Sequence, residues 1–124
     1  MRITALDHIV LNVADVERSL SFYSDKLGLP AERVDIWREG KVGFPSVRVN
    51  EHTIIDLVRQ PPSGNNLAHF CLVADGEIEA VKEELVARGV TIDRDPGKRS
   101  GARGDGLSFY LHDPDGNEVE IRCY

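Results

Sequence analysis

The chain has 124 residues, 41% of them apolar and 29% charged, with a formal net charge of -6. That is enough for one domain with a hydrophobic core, and the acidic balance excludes the basic footprint of a nucleic-acid binder. No run of about 18 apolar residues is present to span a membrane, and the N-terminal stretch MRITALDH lacks the apolar core of a signal peptide, so a cytoplasmic location is expected.

The first element is the stretch LDHIVLNV (6–13), a strand in which His8, with Asp7 beside it, interrupts an apolar run. Asp15 is placed to cap a helix, and Val16, Leu20, Tyr23 and Leu27 recur at steps of four, three and four, on one helical face. Gly28 ends that helix. Strand-like runs follow at 31–37, 42–49 and 53–58, and RQPPSGNN (59–66) reads as a linker. A second strand, AHFCLVAD, carries His69. Its helix starts at Asp75 or Gly76, turns Ile78, Val81 and Leu85 inward, pairs Glu84 with Arg88 and ends at Gly89. Strands at 91–94, 107–112 and 118–123 complete the chain, with a hairpin turn at 113–117. A glycine-rich stretch, 97–106, reads as a solvated loop or as a lid whose Lys98, Arg99 and Arg103 grip an anionic substrate. Cys71 and Cys123 form no C-x-x-C pair and are expected to be free, buried thiols.

The order β-α-β-β-β thus occurs twice, as module 1 (about 4–58) and module 2 (about 67–123). From His8 to Gly28 and from His69 to Gly89 are 20 positions each. Asp56 falls in the last strand of the first module and Glu120 in the last strand of the second, 48 and 51 residues after their histidines. Two histidines and two carboxylates at matched places of a repeat suit a divalent metal such as Ni, Zn, Co, Mn or Fe, with positions left open for substrate. A carboxylate in an apolar strand is costly without such a partner.

With LDHIVLNVADVERSLSFYSDKLGL, AHFCLVAD and SFYLHDPDGNEVEI in place, the chain resembles the vicinal oxygen chelate superfamily over nearly its whole length. This superfamily holds glyoxalase I, fosfomycin-resistance proteins, extradiol dioxygenases, methylmalonyl-CoA epimerase and bleomycin-resistance proteins. The resemblance implies a single α+β domain, 1–124, whose two tandem βαβββ modules curl a mixed sheet around a metal cavity. His8, His69 and Glu120 match the shared metal ligands. Asp56 stands where glyoxalase I-like members carry a fourth, usually glutamate; being shorter by one methylene, it binds the metal directly, reaches it only through water, or lines the cavity. The implied activity is a glyoxalase I-like lyase or isomerase reaction on a small oxygen-chelating substrate, by metal-assisted proton transfer with Glu120 and Asp56 as the catalytic carboxylates. The alternatives are an extradiol-type dioxygenase or a metal-free protein that sequesters a ligand. A homodimer is expected from the same resemblance. Val10 stands where fosfomycin-resistance proteins have threonine, and Asn117 where their turn has histidine. His52 and His112 are only loose candidates for acid–base roles. Trp37, Arg38 and Arg48 are candidate cavity residues, Trp37 first of all a packing residue.

Overall fold

The structure, a computed structural model, describes residues 1–26, 28–61, 64, 66–112 and 116–124. Leu27 and the Asp113, Pro114 and Asp115 of the predicted turn lie outside the described residues. The chain is α+β, in the order β1 (Ile3–Val13), α1 (Val16–Leu20), a π-helical segment (Ser21–Lys26), β2 (Ala31–Glu32), α2 (Val34–Arg38), β3 (Ser46–Asn50), β4 (Thr53–Arg59), β5 (Leu67–Ala74), α3 (Ile78–Ala87), β6 (Arg94–Gly101), β7 (Gly104–His112) and β8 (Glu118–Cys123). Among the described residues, no helix is long and apolar enough to cross a membrane. The chain divides into two compact units, residues 9–68 and residues 1–8 with 69–124.

In the unit of residues 9–68, Asp15 caps α1 by accepting from the Arg18 N–H at 3.1 Å. The predicted single α-helix is instead an α-helical turn that widens into the π-helical segment before Gly28, whose φ of 77° is open to glycine. Strands β3 and β4 pair antiparallel, with Ser46 opposite Asp56 and Val47 opposite Ile55. Alternation therefore sends Val47, Ile55 and Leu57 to one face, where they pack with Val16 and Leu20 of α1. Ser46 and Asp56 occupy the other face. The predicted strand at 31–37 is corrected: only Ala31–Glu32 is extended, and Val34–Arg38 is the helix α2. Arg33 has φ 64°, in the left-handed region, which breaks the strand. Val34 and Trp37, three apart, then meet the same apolar cluster as helical neighbours.

In the unit of residues 1–8 and 69–124, β5 runs parallel to β8, and β8–β7 and β7–β6 are antiparallel. The Ile3–His8 part of β1 lies beside β5, where the Thr4 hydroxyl donates to the Val73 carbonyl at 3.3 Å. The register makes the sheet two-faced. Phe109, Val119, Ile121 and Cys123 form a core with Ile78 and Val81 of α3, and Leu85 packs against it, as the helical period requires. Glu84 and Arg88 pair at 2.5 Å on the outside. The opposite face carries His69, Cys71, Ser108, Tyr110, Glu120 and Arg122, by alternation and by the Cys71–Glu120, Tyr110–Glu120 and Ser108–Arg122 partners.

The predicted strand at 91–94 and loop at 97–106 are also corrected. Of 91–94 only Arg94 is in a strand, and residues 94–106 form β6 and the start of β7, a hairpin paired from Arg94–Tyr110 to Gly101–Gly104. Glycine and charge disfavour strands locally, but pairing with β7 overrides that preference. Gly101 has a specific use: a Cβ there would overlap the Arg122 guanidinium and the Tyr124 hydroxyl.

Candidate metal centre

His8, His69 and Glu120 all belong to the unit of residues 1–8 and 69–124, and the sheet brings their ligand atoms to one point. His8 Nε2 lies 3.2 Å from His69 Nε2 and 3.1 Å from Glu120 Oε2, and His69 Nε2 lies 3.1 Å from the same Oε2. Atoms held about 2.1 Å from one divalent ion, at roughly right angles, stand about 3 Å apart, so this triangle fits such an ion. The donor set, two imidazoles and a carboxylate, also fits its chemistry. The side chains of His8 and Glu120 are 4% and 1% exposed, while His69, at 17%, is the most exposed of the three.

Further polar groups orient these ligands. Arg122 donates from Nη2 to Glu120 Oε1 at 3.0 Å, leaving Oε2 to face the histidines. Tyr110 donates its hydroxyl to that Oε2 at 3.3 Å, and its ring meets His69 edge-on at 5.4 Å. The guanidiniums of Arg94 and Arg99 lie 3.7 and 4.9 Å from the centroid of the Tyr110 ring. Asp7, fully buried, accepts from His8 Nδ1 at 2.7 Å. The Cys71 thiol also sits against His8, free and buried as expected. Sequence reasoning does not single out Asp7, Tyr110, Arg122 or Tyr124 as site residues. Asp7 and Arg122 carry a signal, since each is a charge beside a candidate ligand in a strand; Tyr124 carries none.

Asp56 belongs to the other unit. It is buried, lies on the face turned away from α1, and accepts from the Ser46 hydroxyl at 2.5 Å. In the same unit, Trp37 packs in the apolar cluster, Arg38 pairs with Glu17 and Arg48 with Glu32. His52 is exposed beside Glu51 at 2.9 Å. His112 Nδ1 sits 2.5 Å from Asp93, outside the triad. Of the glycine-rich stretch, Lys98 pairs with Asp105 at 3.2 Å, Arg103 lies over Tyr124, and Arg99 donates to the Gly97 and Ser108 carbonyls.

The charges of the centre stabilise one another without a metal. Burial favours neutral His8, but the hydrogen bonds to Asp7, Cys71 and Glu120 outweigh it and push its pKa from 6.5 up to about 12. Burial likewise favours neutral Glu120, yet hydrogen bonds from His69, His8 and Ser108 hold it well below the usual carboxylate range. Asp7 is lowered from 3.8 by His8, Tyr124 and the Ala102 N–H, against burial. The raised His8 contributes stability that is complete below pH 6.5 and is lost as pH rises towards about 12. The lowered Asp7 and Glu120 contribute above their ordinary values of 3.8 and 4.5 and lose that contribution in acid. Metal-free protein is therefore expected to melt at its highest temperature between those limits, near pH 5–6, and at progressively lower temperature above pH 6.5. Thermal melting in chelator across this range checks it, and a melting temperature that climbs above pH 6.5 contradicts it.

The profile of the glyoxalase/bleomycin resistance protein/dioxygenase superfamily matches residues 5–121. The chain is 32% identical to a virulence protein of Salmonella typhimurium, over 100% of this chain and 87% of that protein. It is 30% identical to the lactoylglutathione lyase of the same organism, over 92% and 88%, and 30% identical to the glutathione transferase FosA of Serratia marcescens, over 94% and 79%. Among solved structures, the Mn(II)-bound glyoxalase of Novosphingobium aromaticivorans superposes with a TM-score of 0.75 at 21% identity, over 98% of this chain and 39% of that one. A catechol 2,3-dioxygenase gives the same TM-score at 19% identity, over 99% and 42%.

Proposed function

The chain belongs to the glyoxalase/bleomycin resistance protein/dioxygenase superfamily, and on that premise we propose that it is a divalent-metal-dependent enzyme, a glyoxalase I-like lyase or isomerase acting on a small substrate with adjacent oxygens. The observation that carries this reading is the convergence of His8 Nε2, His69 Nε2 and Glu120 Oε2 within 3.2 Å of one another. These three residues would hold the ion. When bound, it supplies Lewis-acid stabilisation of negative charge on the substrate oxygens.

The chain's own residues supply the rest. Arg122 and Tyr110 hold Glu120 aimed at the histidines. Substrate enters on the His69 side, the less buried edge of the centre. Proton transfer between adjacent carbons is assigned to Glu120 and Asp56.

A second reading, an extradiol-type dioxygenase, is favoured by the composition of the triad: two histidines and one carboxylate are the set that holds Fe(II) with open positions for oxygen chemistry. One experiment separates the two. Protein purified without a histidine tag is analysed for metal, beside a His8→Ala/Glu120→Ala double variant. It is then assayed on hemithioacetals and on catechols after loading with each ion. Stoichiometric Ni, Zn, Co or Mn with hemithioacetal turnover supports the first reading, and Fe(II) with ring cleavage supports the second. Protein that takes up none of Ni, Co, Mn, Zn or Fe(II) sinks both and leaves metal-free ligand sequestration.

A further inference from the structure

We propose that Asp7 is the positioning residue of this centre: it holds His8 with the proton on Nδ1, so that Nε2 is presented to a divalent ion. The inference rests on the metal-dependent reading above and adds a residue to it.

The hydrogen bonds around Asp7 leave one arrangement of protons. The Arg103 N–H donates to the Tyr124 hydroxyl oxygen at 3.1 Å, and that hydroxyl in turn donates to Asp7 Oδ1. The Ala102 N–H, which can only donate, reaches Asp7 Oδ2 at 3.0 Å. Arg122 Nε, also only a donor, stands 3.8 Å from the same oxygen. Asp7 is thus an ionised acceptor on every side. The remaining contact, His8 Nδ1 at 2.7 Å, has to be an N–H donating to it. In a neutral imidazole that leaves the lone pair on Nε2, the atom that faces His69 and Glu120.

The arrangement is built from distant parts of the chain. Ala102 stands 95 residues from Asp7, and Tyr124 stands 117 away. Gly101, with no Cβ, lets the β6–β7 turn close over Arg122 and Tyr124. Asp7 is 0% exposed, so water cannot replace these partners. A carboxylate behind a ligating histidine fixes both its tautomer and its ring orientation.

The test is a calorimetric zinc titration of wild type, Asp7→Asn and Tyr124→Phe, each also melted in chelator. Asp7→Asn keeps the volume but places an amide against His8 Nδ1. It is expected to weaken zinc binding by roughly 10–100-fold while the protein still melts cooperatively. Tyr124→Phe removes one donor to Asp7 but leaves the His8–Asp7 bond, so it is expected to lower the melting temperature and to weaken zinc binding less than Asp7→Asn does. A folded Asp7→Asn variant that binds zinc as wild type does overturns the inference. Should that variant not fold, nitrogen-15 NMR of zinc-loaded wild type decides: a protonated His8 Nδ1 is expected, and a protonated Nε2 overturns the inference. Wild type that binds no zinc or other divalent ion is a different result, because then the metal-dependent reading itself has failed.

Discussion

Glu120→Ala is expected to abolish metal binding and to destabilise the metal-free protein in the same step. Glu120 is the only carboxylate in the triad with His8 and His69. Its loss leaves two neutral imidazoles, and the fall in affinity should exceed the roughly 10–100-fold that an outer partner costs. The stability effect has a separate origin. Arg122 is fully buried and donates to Glu120 Oε1 at 3.0 Å; its other bonds go to the neutral carbonyls of Arg99 and Ser100. Removing Glu120 leaves that guanidinium, among the described residues, with Asp7, 3.8 Å from Nε, as its charge partner. Breaking a buried pair from one side costs about 3–5 kcal/mol. Urea unfolding in chelator reads the second effect and metal analysis reads the first. Metal retained at the wild-type level would remove Glu120 from the ligand set, and unchanged unfolding would mean that Arg122 does not depend on it.

Phe109→Ala is the second large effect, and it concerns the other face of the same sheet. Phe109 is 0% exposed and sits in the core beneath α3 with Ile78, Val81, Val119 and Ile121. Deleting the ring costs about 3–5 kcal/mol, the lost transfer free energy plus the cavity left behind. With a slope near 2 kcal/mol/M, the urea midpoint falls by roughly 2 M. Leu107 is the control. It lies on the same strand and face, two residues earlier, but is 45% exposed. Leu107→Ala is expected to change stability by no more than about 0.5 kcal/mol. Equal effects at the two positions would mean that α3 does not seal the core as described.

Much of the site is legible in the order of residues alone. His8, His69 and Glu120 stand out because each puts a polar group into an apolar strand, where burial without a partner is costly. Their matched spacing in a repeated β-α-β-β-β order points to a shared role. The helix ending at Gly89 is legible for a similar reason: Ile78, Val81 and Leu85 repeat at the helical period.

The segments that depart from expectation share one cause. In residues 31–37 and in the glycine-rich 97–106, local propensity is overruled by the surroundings. Arg33 takes a left-handed backbone that no periodicity signals, and β6 is a strand only because β7 lies beside it. The same holds around the triad. The repeated β-α-β-β-β order and the four polar candidates, His8, His69, Asp56 and Glu120, follow from the residues themselves, because alternation and chemical cost are written along each strand; the narrowing to His8, His69 and Glu120 follows from the resemblance. How those side chains are held follows only from the folded chain. Asp7 meets the Ala102 N–H and Tyr124 from across the chain, and Arg122 is held beside Glu120 by the Arg99 and Ser100 carbonyls of β6. Such contacts depend on strand pairing between distant segments, and pairing is fixed by packing rather than by any local pattern of residues.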